Sequence, residues 1–183
     1  MNTQLTVERK MTSHGHALVL VVALGIAGPA QGACQGFENL AVPVTTPSEQ
    51  FLDLGNGTVR HRPTDLVWSR CAVGQTWTGS ECSGEPALLD WSDALNTASE
   101  ADLAGQADWR LPNRNELASI IESRCFEPAI NGSIFPDSPA AGFWTSSPAE
   151  THSAWQVEFA EGAVFQQLDT QAAAVRLVRG GRM

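Results

Sequence analysis

The chain has 183 residues, with 11 basic and 20 acidic side chains and a formal charge of −9 at pH 7 with histidine neutral. A chain this acidic repels phosphate backbones and anionic membrane surfaces unless its cations converge on one face, so nucleic acid is not expected as a partner.

Arg9 and Lys10 precede the apolar run Ala17 to Ala27, and small residues follow from Gly28 to Ala33. The run is too short to span a bilayer and has the layout of a secretory signal, with cleavage after Gly32 or Ala33. Residues 1–33 are therefore set aside as a signal peptide. Lipidation of Cys34 is the competing reading, but Gln31 stands where a lipobox carries a branched apolar residue. The segment takes Glu8, Arg9 and Lys10 from the totals of 20 and 11, leaving 19 acidic residues against nine arginines, a charge of −10 and no lysine. The remainder is the size of one domain, and no integral membrane span is expected in it.

Four cysteines in an exported chain favour disulfides, and no Cys-x-x-Cys pair suggests zinc. Beyond the signal the histidines are His61 and His152, both expected at the surface, with no i,i+4 partner for a metal site. No metal and no cofactor are expected.

Residues 34–50 contain Pro43, Thr45, Thr46, Pro47 and Ser48 without periodicity and read as an extended N-terminal lead-in, with order beginning near Phe51. Asn56-Gly57 is a turn signal, Val59 to His61 begin a strand, and Thr64 to Arg70 form a second after the break at Pro63-Thr64-Asp65, giving an antiparallel pair. Cys71 and Cys82 enclose a polar loop with Gly74-Gln75, Trp77 and Gly79, which a disulfide between them would tie. Cys34 and Cys125 are the residual pair, although four cysteines permit three connectivities. Trp77 either folds back over the core, the expected reading, or stacks on a ligand.

Asp90 caps a helix through Trp91, Ala94, Leu95, Ala98 and Leu103, ending at Gly105. The central motif follows: Asp108-Trp109-Arg110-Leu111-Pro112, then Asn113, which can cap a second helix with Glu116 completing a capping box. Leu117, Ile120, Ile121 and Cys125 share one face of that helix. Arg110 sits between apolar residues and is expected to form a buried structural ion pair with Asp65 or Glu116, the alternative being a substrate clamp. Residues 126–150 form a long connection containing Asn131, Phe135 and Asp137, and long ordered loops are often functional. Strands follow at 142–147, 154–159, 163–168 and 175–179, with Glu161-Gly162 as a hairpin turn. Ser146-Ser147 lack a Gly-x-Ser-x-Gly context, so no nucleophile elbow is indicated.

In order, Asn56-Gly57-Thr58-Val59, Thr64-Asp65-Leu66-Val67-Trp68, Asp108-Trp109-Arg110-Leu111-Pro112, Asn115-Glu116-Leu117, Pro128-Ala129-Ile130-Asn131, Phe143-Trp144-Thr145-Ser146-Ser147, Ala154-Trp155-Gln156-Val157 and Val175-Arg176-Leu177-Val178-Arg179-Gly180 resemble the Lcl C-terminal domain family of exported bacterial proteins. The resemblance covers residues 51–181, within a domain taken as 51–183. It implies an α+β, C-type-lectin-like fold: two helices packed on small antiparallel sheets with long loops, the last strand pairing back near the first. The family's named member is a collagen-like adhesin whose terminal domain is associated with trimerisation and with binding sulfated glycosaminoglycans. This sequence has no Gly-x-y tract, is acidic, and lacks the Glu-Pro-Asn, Gln-Pro-Asp and Trp-Asn-Asp signatures of calcium-dependent lectins, so neither polyanion binding nor a calcium ligand is carried over.

The resulting expectation is a non-enzymatic binding domain, secreted, periplasmic or at the surface of a bacterium. It would act as an adhesin or surface-assembly component and meet a neutral glycan or a protein partner through loop residues Trp77, Asn131, Phe135 and Asp137. The rivals are an enzyme of the formylglycine-generating type, which would need reactive thiols, and a purely structural envelope protein.

Overall fold

The computed structural model describes residues 34–181; the predicted signal peptide lies outside the described residues. The strands are β1 Phe37–Glu38, β2 Phe51–Asp53, β3 Thr58–His61, β4 Leu66–Ser69, β5 Thr76–Trp77, β6 Cys82–Ser83, β7 Cys125–Phe126, β8 Gly142–Pro148, β9 Ser153–Glu158, β10 Ala163–Leu168 and β11 Val178–Gly180. The α-helices are α1 Trp91–Ser99 and α2 Arg114–Ala118. With four sheets of two to four strands and two short helices, the described chain is α+β.

The four-stranded antiparallel sheet runs β11-β4-β3-β2, so the last strand returns to the first long hairpin. All four residues of β4 are buried. Successive strand residues face opposite sides, and accordingly Leu66 and Trp68 enter one apolar cluster while Val67 enters another. The first cluster joins Phe51, Leu117, Ile120, Phe135 and Phe143, and the second joins Ala94, Ala98, Trp109, Leu111 and Trp144. The sheet is thus a central layer covered on both faces. Two buried indoles bond backbone carbonyls, Trp109 to Leu103 at 3.0 Å and Trp144 to Leu89 at 2.8 Å, whereas the indole N–H of Trp68 is buried without a partner among the described residues.

The second sheet runs β10-β9-β8. It is stitched to the first layer where Trp144 N–H donates to the Ala174 carbonyl at 3.0 Å and Ala174 N–H to that of Gly142 at 2.9 Å.

Both helix starts follow their local chemistry. Asp90 accepts the Asp93 N–H at 2.8 Å. Asn113 accepts the Glu116 N–H at 2.9 Å while Glu116 accepts the Asn113 N–H at 2.7 Å, a complete capping box. The helix ends differ from expectation. α1 stops at Ser99 rather than running to Gly105, because Leu103 and Gln106 pair in a tight turn that presents the Leu103 carbonyl to Trp109. α2 stops at Ala118, so Cys125 lies on no helix face. Beyond the turn Ile121 bridges Ile130, Glu122 turns inward, and Cys125 enters β7.

Residues 34–50 are not a loose lead-in, and order begins at Cys34 rather than near Phe51. A Cys34–Cys125 disulfide spans 91 residues, and β1 pairs with β7. The carboxylate of Glu122, fully buried, accepts the N–H groups of Thr45 at 3.0 Å, Thr46 at 2.7 Å and Arg124 at 3.0 Å, together with the Thr46 hydroxyl at 2.8 Å. Burial raises its pKa, but these donors outweigh burial and hold it below the usual value. His61, expected at the surface, is buried with its ring centroid 4.8 Å from that of Phe51; His152 is exposed.

Candidate functional site

The Cys71–Cys82 disulfide forms as predicted and closes the loop that carries β5 and β6. Trp77 is placed by three features. Gly57 has a φ of +81°, and a Cβ there would stand 3.0 Å from the Trp77 Cβ and Cγ, so the glycine gives the indole room. The Arg70 guanidinium lies 4.3 Å from the Trp77 ring and is itself held by Asp53 at 2.7 Å and the Ile134 carbonyl at 2.9 Å. Asp137 then accepts the Cys82 N–H at 2.9 Å, and its carbonyl accepts Gln75 Nε2 at 3.1 Å.

Trp77 forms one wall of a cleft of about 410 Å³ between this loop and the end of α1. Apolar surface comes from Ala72, Val73, Ala101, Leu103 and Leu177, and Glu100 and Asp102 bring exposed carboxylates to the site. Among the described residues neither carboxylate is ion-paired. The volume is within the range of small-ligand sites, and the chemistry suits a ligand with an apolar face and hydrogen-bond donors. It opposes an anion.

The four residues singled out from sequence do not converge. Only Trp77 lines the cleft. Asp137 is exposed, yet its carboxylate is spent on the disulfide loop. Asn131 is fully buried, donating to the Thr46 carbonyl at 2.8 Å and to the Ser48 hydroxyl at 3.0 Å. Phe135 is fully buried and packs edge-on against Phe51. Both are buried inside the fold, because much of the long connection runs inside it. The residues that sequence reasoning missed are Glu100 and Asp102; their one signal was a pair of acidic groups at the end of a predicted helix, which meets the Trp77 loop only through tertiary folding.

The central motif is bonded within itself. Arg110 engages Glu116 through a two-pronged contact, Nη1 to Oε2 and Nη2 to Oε1, each at 2.8 Å. The pair is only half-buried, with 42% of the Arg110 side chain and 18% of the Glu116 side chain exposed. The proposed partner Asp65 instead sits 3.5 Å from Arg60. The Glu116 hydrogen bond raises the Arg110 pKa; burial alone would raise that of Glu116, but Arg110 and the Asn113 N–H hold it below the usual value.

The remaining arginines make no basic face among the described residues. Arg70, Arg124 and Arg179 pair with Asp53, Glu38 and Asp108. Arg176 is fully buried without a carboxylate: Nη1 donates to the Ser69 carbonyl at 2.9 Å and to that of Arg70, and Nη2 donates to the Ser138 hydroxyl at 2.7 Å. Its guanidinium lies 4.8 Å from the Phe135 ring. Burial pushes its pKa down to about 9, which leaves it a cation at neutral pH. Arg62 and Arg114 are without a carboxylate, and Arg114 stacks 4.6 Å from the Trp155 ring.

No curated protein matches the chain. A family model described as the Lcl C-terminal domain matches residues 57–179, a span that runs from the glycine beneath Trp77 through the central motif to β11, and the chain therefore belongs to the Lcl C-terminal domain family.

Proposed function

We propose that this chain is a non-enzymatic binding domain of the bacterial cell exterior or envelope, an adhesin or surface-assembly component that takes a neutral glycan in the Trp77 cleft. The observation that carries this reading is the cleft itself: an indole wall, apolar surface, and two carboxylates without ion pairs. A sugar ring offers an apolar face to the indole and hydroxyl donors to Glu100 and Asp102. A protein segment with an apolar side chain and amide donors satisfies the same groups. Two disulfides are compatible with an oxidising compartment, and no helix among the described residues is long and apolar enough to cross a membrane.

The rival oxidase chemistry needs reactive thiols, and all four cysteines are spent in the two disulfides. Sulfated polysaccharide is disfavoured by the dispersed, internally paired arginines, since polyanion affinity draws on many cations acting together. The C-type-lectin-like architecture is part of the proposal; the return of β11 to β4 and the long buried connection support it.

Heparin chromatography tests the ligand class. The oxidised protein is expected to pass without retention at low ionic strength; retention that salt removes steeply would show converging arginines and overturn the neutral-ligand reading.

A further inference from the structure

A sheet edge presents a row of unpaired N–H and carbonyl groups, and proteins usually shorten, charge, kink or cover such edges. Among the described residues, β1, β5, β6 and β7 are only two residues long, and the edges of the two larger sheets are managed except at β10. Beside β8, the chain at Ala174 and Pro112 supplies hydrogen-bond partners to Trp144 and Ser146. Beside β11, Arg110 exchanges both of its backbone bonds with Val178. β2 is three residues long and ends in Asp53. β10 is different: six residues, Ala-Val-Phe-Gln-Gln-Leu, with no charge, no proline and no register shift against β9, and with no strand beyond it among the described residues. Val164, Gln166 and Leu168 are all exposed, Leu168 by 54%.

The hydrogen-bond phase of this edge follows from one contact. Asp169 N–H donates to the His152 carbonyl at 3.0 Å, continuing the β9–β10 register. Hydrogen-bonded and non-bonded positions alternate in an antiparallel pair. Residues 163, 165 and 167 therefore bond β9, and the backbone groups of Val164, Gln166 and Leu168 point outward. The Leu168 groups agree: its N–H is taken by the amide oxygen of its neighbour Gln167 at 3.1 Å and its carbonyl accepts the Gln171 N–H at 3.0 Å, so the free backbone groups of the edge are those of Val164 and Gln166.

We propose that β10 pairs antiparallel with β10 of a second copy of this chain, about a two-fold axis through Gln166 that runs perpendicular to the sheet, joining two three-stranded sheets into one. The occupant is argued from self-complementarity. A two-fold of this kind keeps each face on its own side, so opposed residues must have the same parity. Centring on Gln166 places the free Gln166 groups on the axis, and Val164 faces Leu168 in both directions, where the Leu168 carbonyl uses its second lone pair and the Gln167 side chain yields the Leu168 N–H. On the opposite face Phe165 meets Gln167. Asp169 falls opposite Ala163 and Glu161 opposite Gln171, so no charge stands directly across from a charge. For a chain of this acidity, the uncharged stretch from Gly162 to Leu168 lets two copies approach along this edge without opposed charges. The contact is isologous and closed, so it stops at two.

Analytical ultracentrifugation of the oxidised protein tests this. A monomer–dimer equilibrium is expected, with the dimer favoured by higher salt because screening relieves repulsion between the acidic copies. Gln166→Lys and Gln166→Glu each place like charges face to face on the axis and should weaken the dimer by about tenfold or more. Position 166 is exposed, so both variants should melt like the wild type. Mixing the two variants should restore the dimer as a heterodimer. A monomer at every concentration, a trimer, a dimer indifferent to both variants, or a mixture that fails to recover would each overturn the proposal.

Discussion

The Asp137 carboxylate accepts the Cys82 backbone N–H at 2.9 Å across 55 residues of sequence, so the connection before β8 holds the disulfide loop that positions Trp77. Asp137 has a φ of +51°, a conformation that Asn and Asp adopt most readily among residues with a side chain. Asp137→Asn keeps both the acceptor and the backbone preference and should unfold close to wild type. Asp137→Ala loses both and should cost about 1–2 kcal/mol in urea unfolding. Equal effects of the two variants would show that the carboxylate does not hold the loop.

Arg110 and Glu116 make a planar two-pronged pair that is half open to water, so its loss is milder than that of a buried pair. Arg110→Ala should lower stability by about 1–2 kcal/mol, and Arg110→Lys should recover only part because an ammonium lacks the fork. An alanine variant that melts like the wild type while losing ligand binding would show the arginine to be a clamp.

Glu122 and His61 make the fold acid-sensitive, both in the same direction. His61 has its pKa lowered from 6.5 by burial, so the unfolded chain binds the proton first and stability declines as pH falls below about 6.5. Glu122 is held below its ordinary 4.5 in the folded state; its contribution is complete above that value and is lost as pH falls through the folded pKa. Urea midpoints measured down the pH scale should fall in these two windows. Glu122→Gln should cost about 2–3 kcal/mol at neutral pH and flatten the lower one. An unchanged acid limb would contradict the role given to the Thr45 and Thr46 donors.

Arg176 is a buried cation whose two Nη groups donate to two carbonyls and a hydroxyl beside the Phe135 ring, with no carboxylate and with Nε unpartnered among the described residues. Arg176→Lys cannot reach the Ser69 and Ser138 partners together and should destabilise nearly as much as Arg176→Met, each by about 3 kcal/mol or more. Full stability of the lysine variant in thermal unfolding would refute this.

These contacts show which parts of the molecule were legible in advance. Asp90, Asn113 and Glu116 announced their helix starts because capping is chemistry within four residues, and β9 announced itself by the alternation from Ala154 to Phe159. The helix ends were hidden because Trp109 and Cys125 set them from outside the helix. The long connection read as a surface loop from its prolines and amides, but Asn131 exchanges water for Thr46 and Ser48, partners more than eighty residues away. The same holds for the site. Trp77 was visible in its stapled loop, whereas Glu100 and Asp102 became its neighbours only when α1 packed onto the cluster of Val67, Trp109 and Trp144.

The cleft is the central claim, and blocking it is the most direct test. Ala101 lines it at the end of α1 and is partly exposed, so Ala101→Trp fills the space without opening the core. The oxidised wild type and Ala101→Trp would be compared on an array of neutral glycans, sulfated glycans and peptides, each at low and high salt. The account predicts wild-type binding to neutral members, little changed by salt and lost in Ala101→Trp while its melting temperature and both disulfides are retained. Binding that survives Ala101→Trp, or that is confined to sulfated members and disappears with salt, would contradict it.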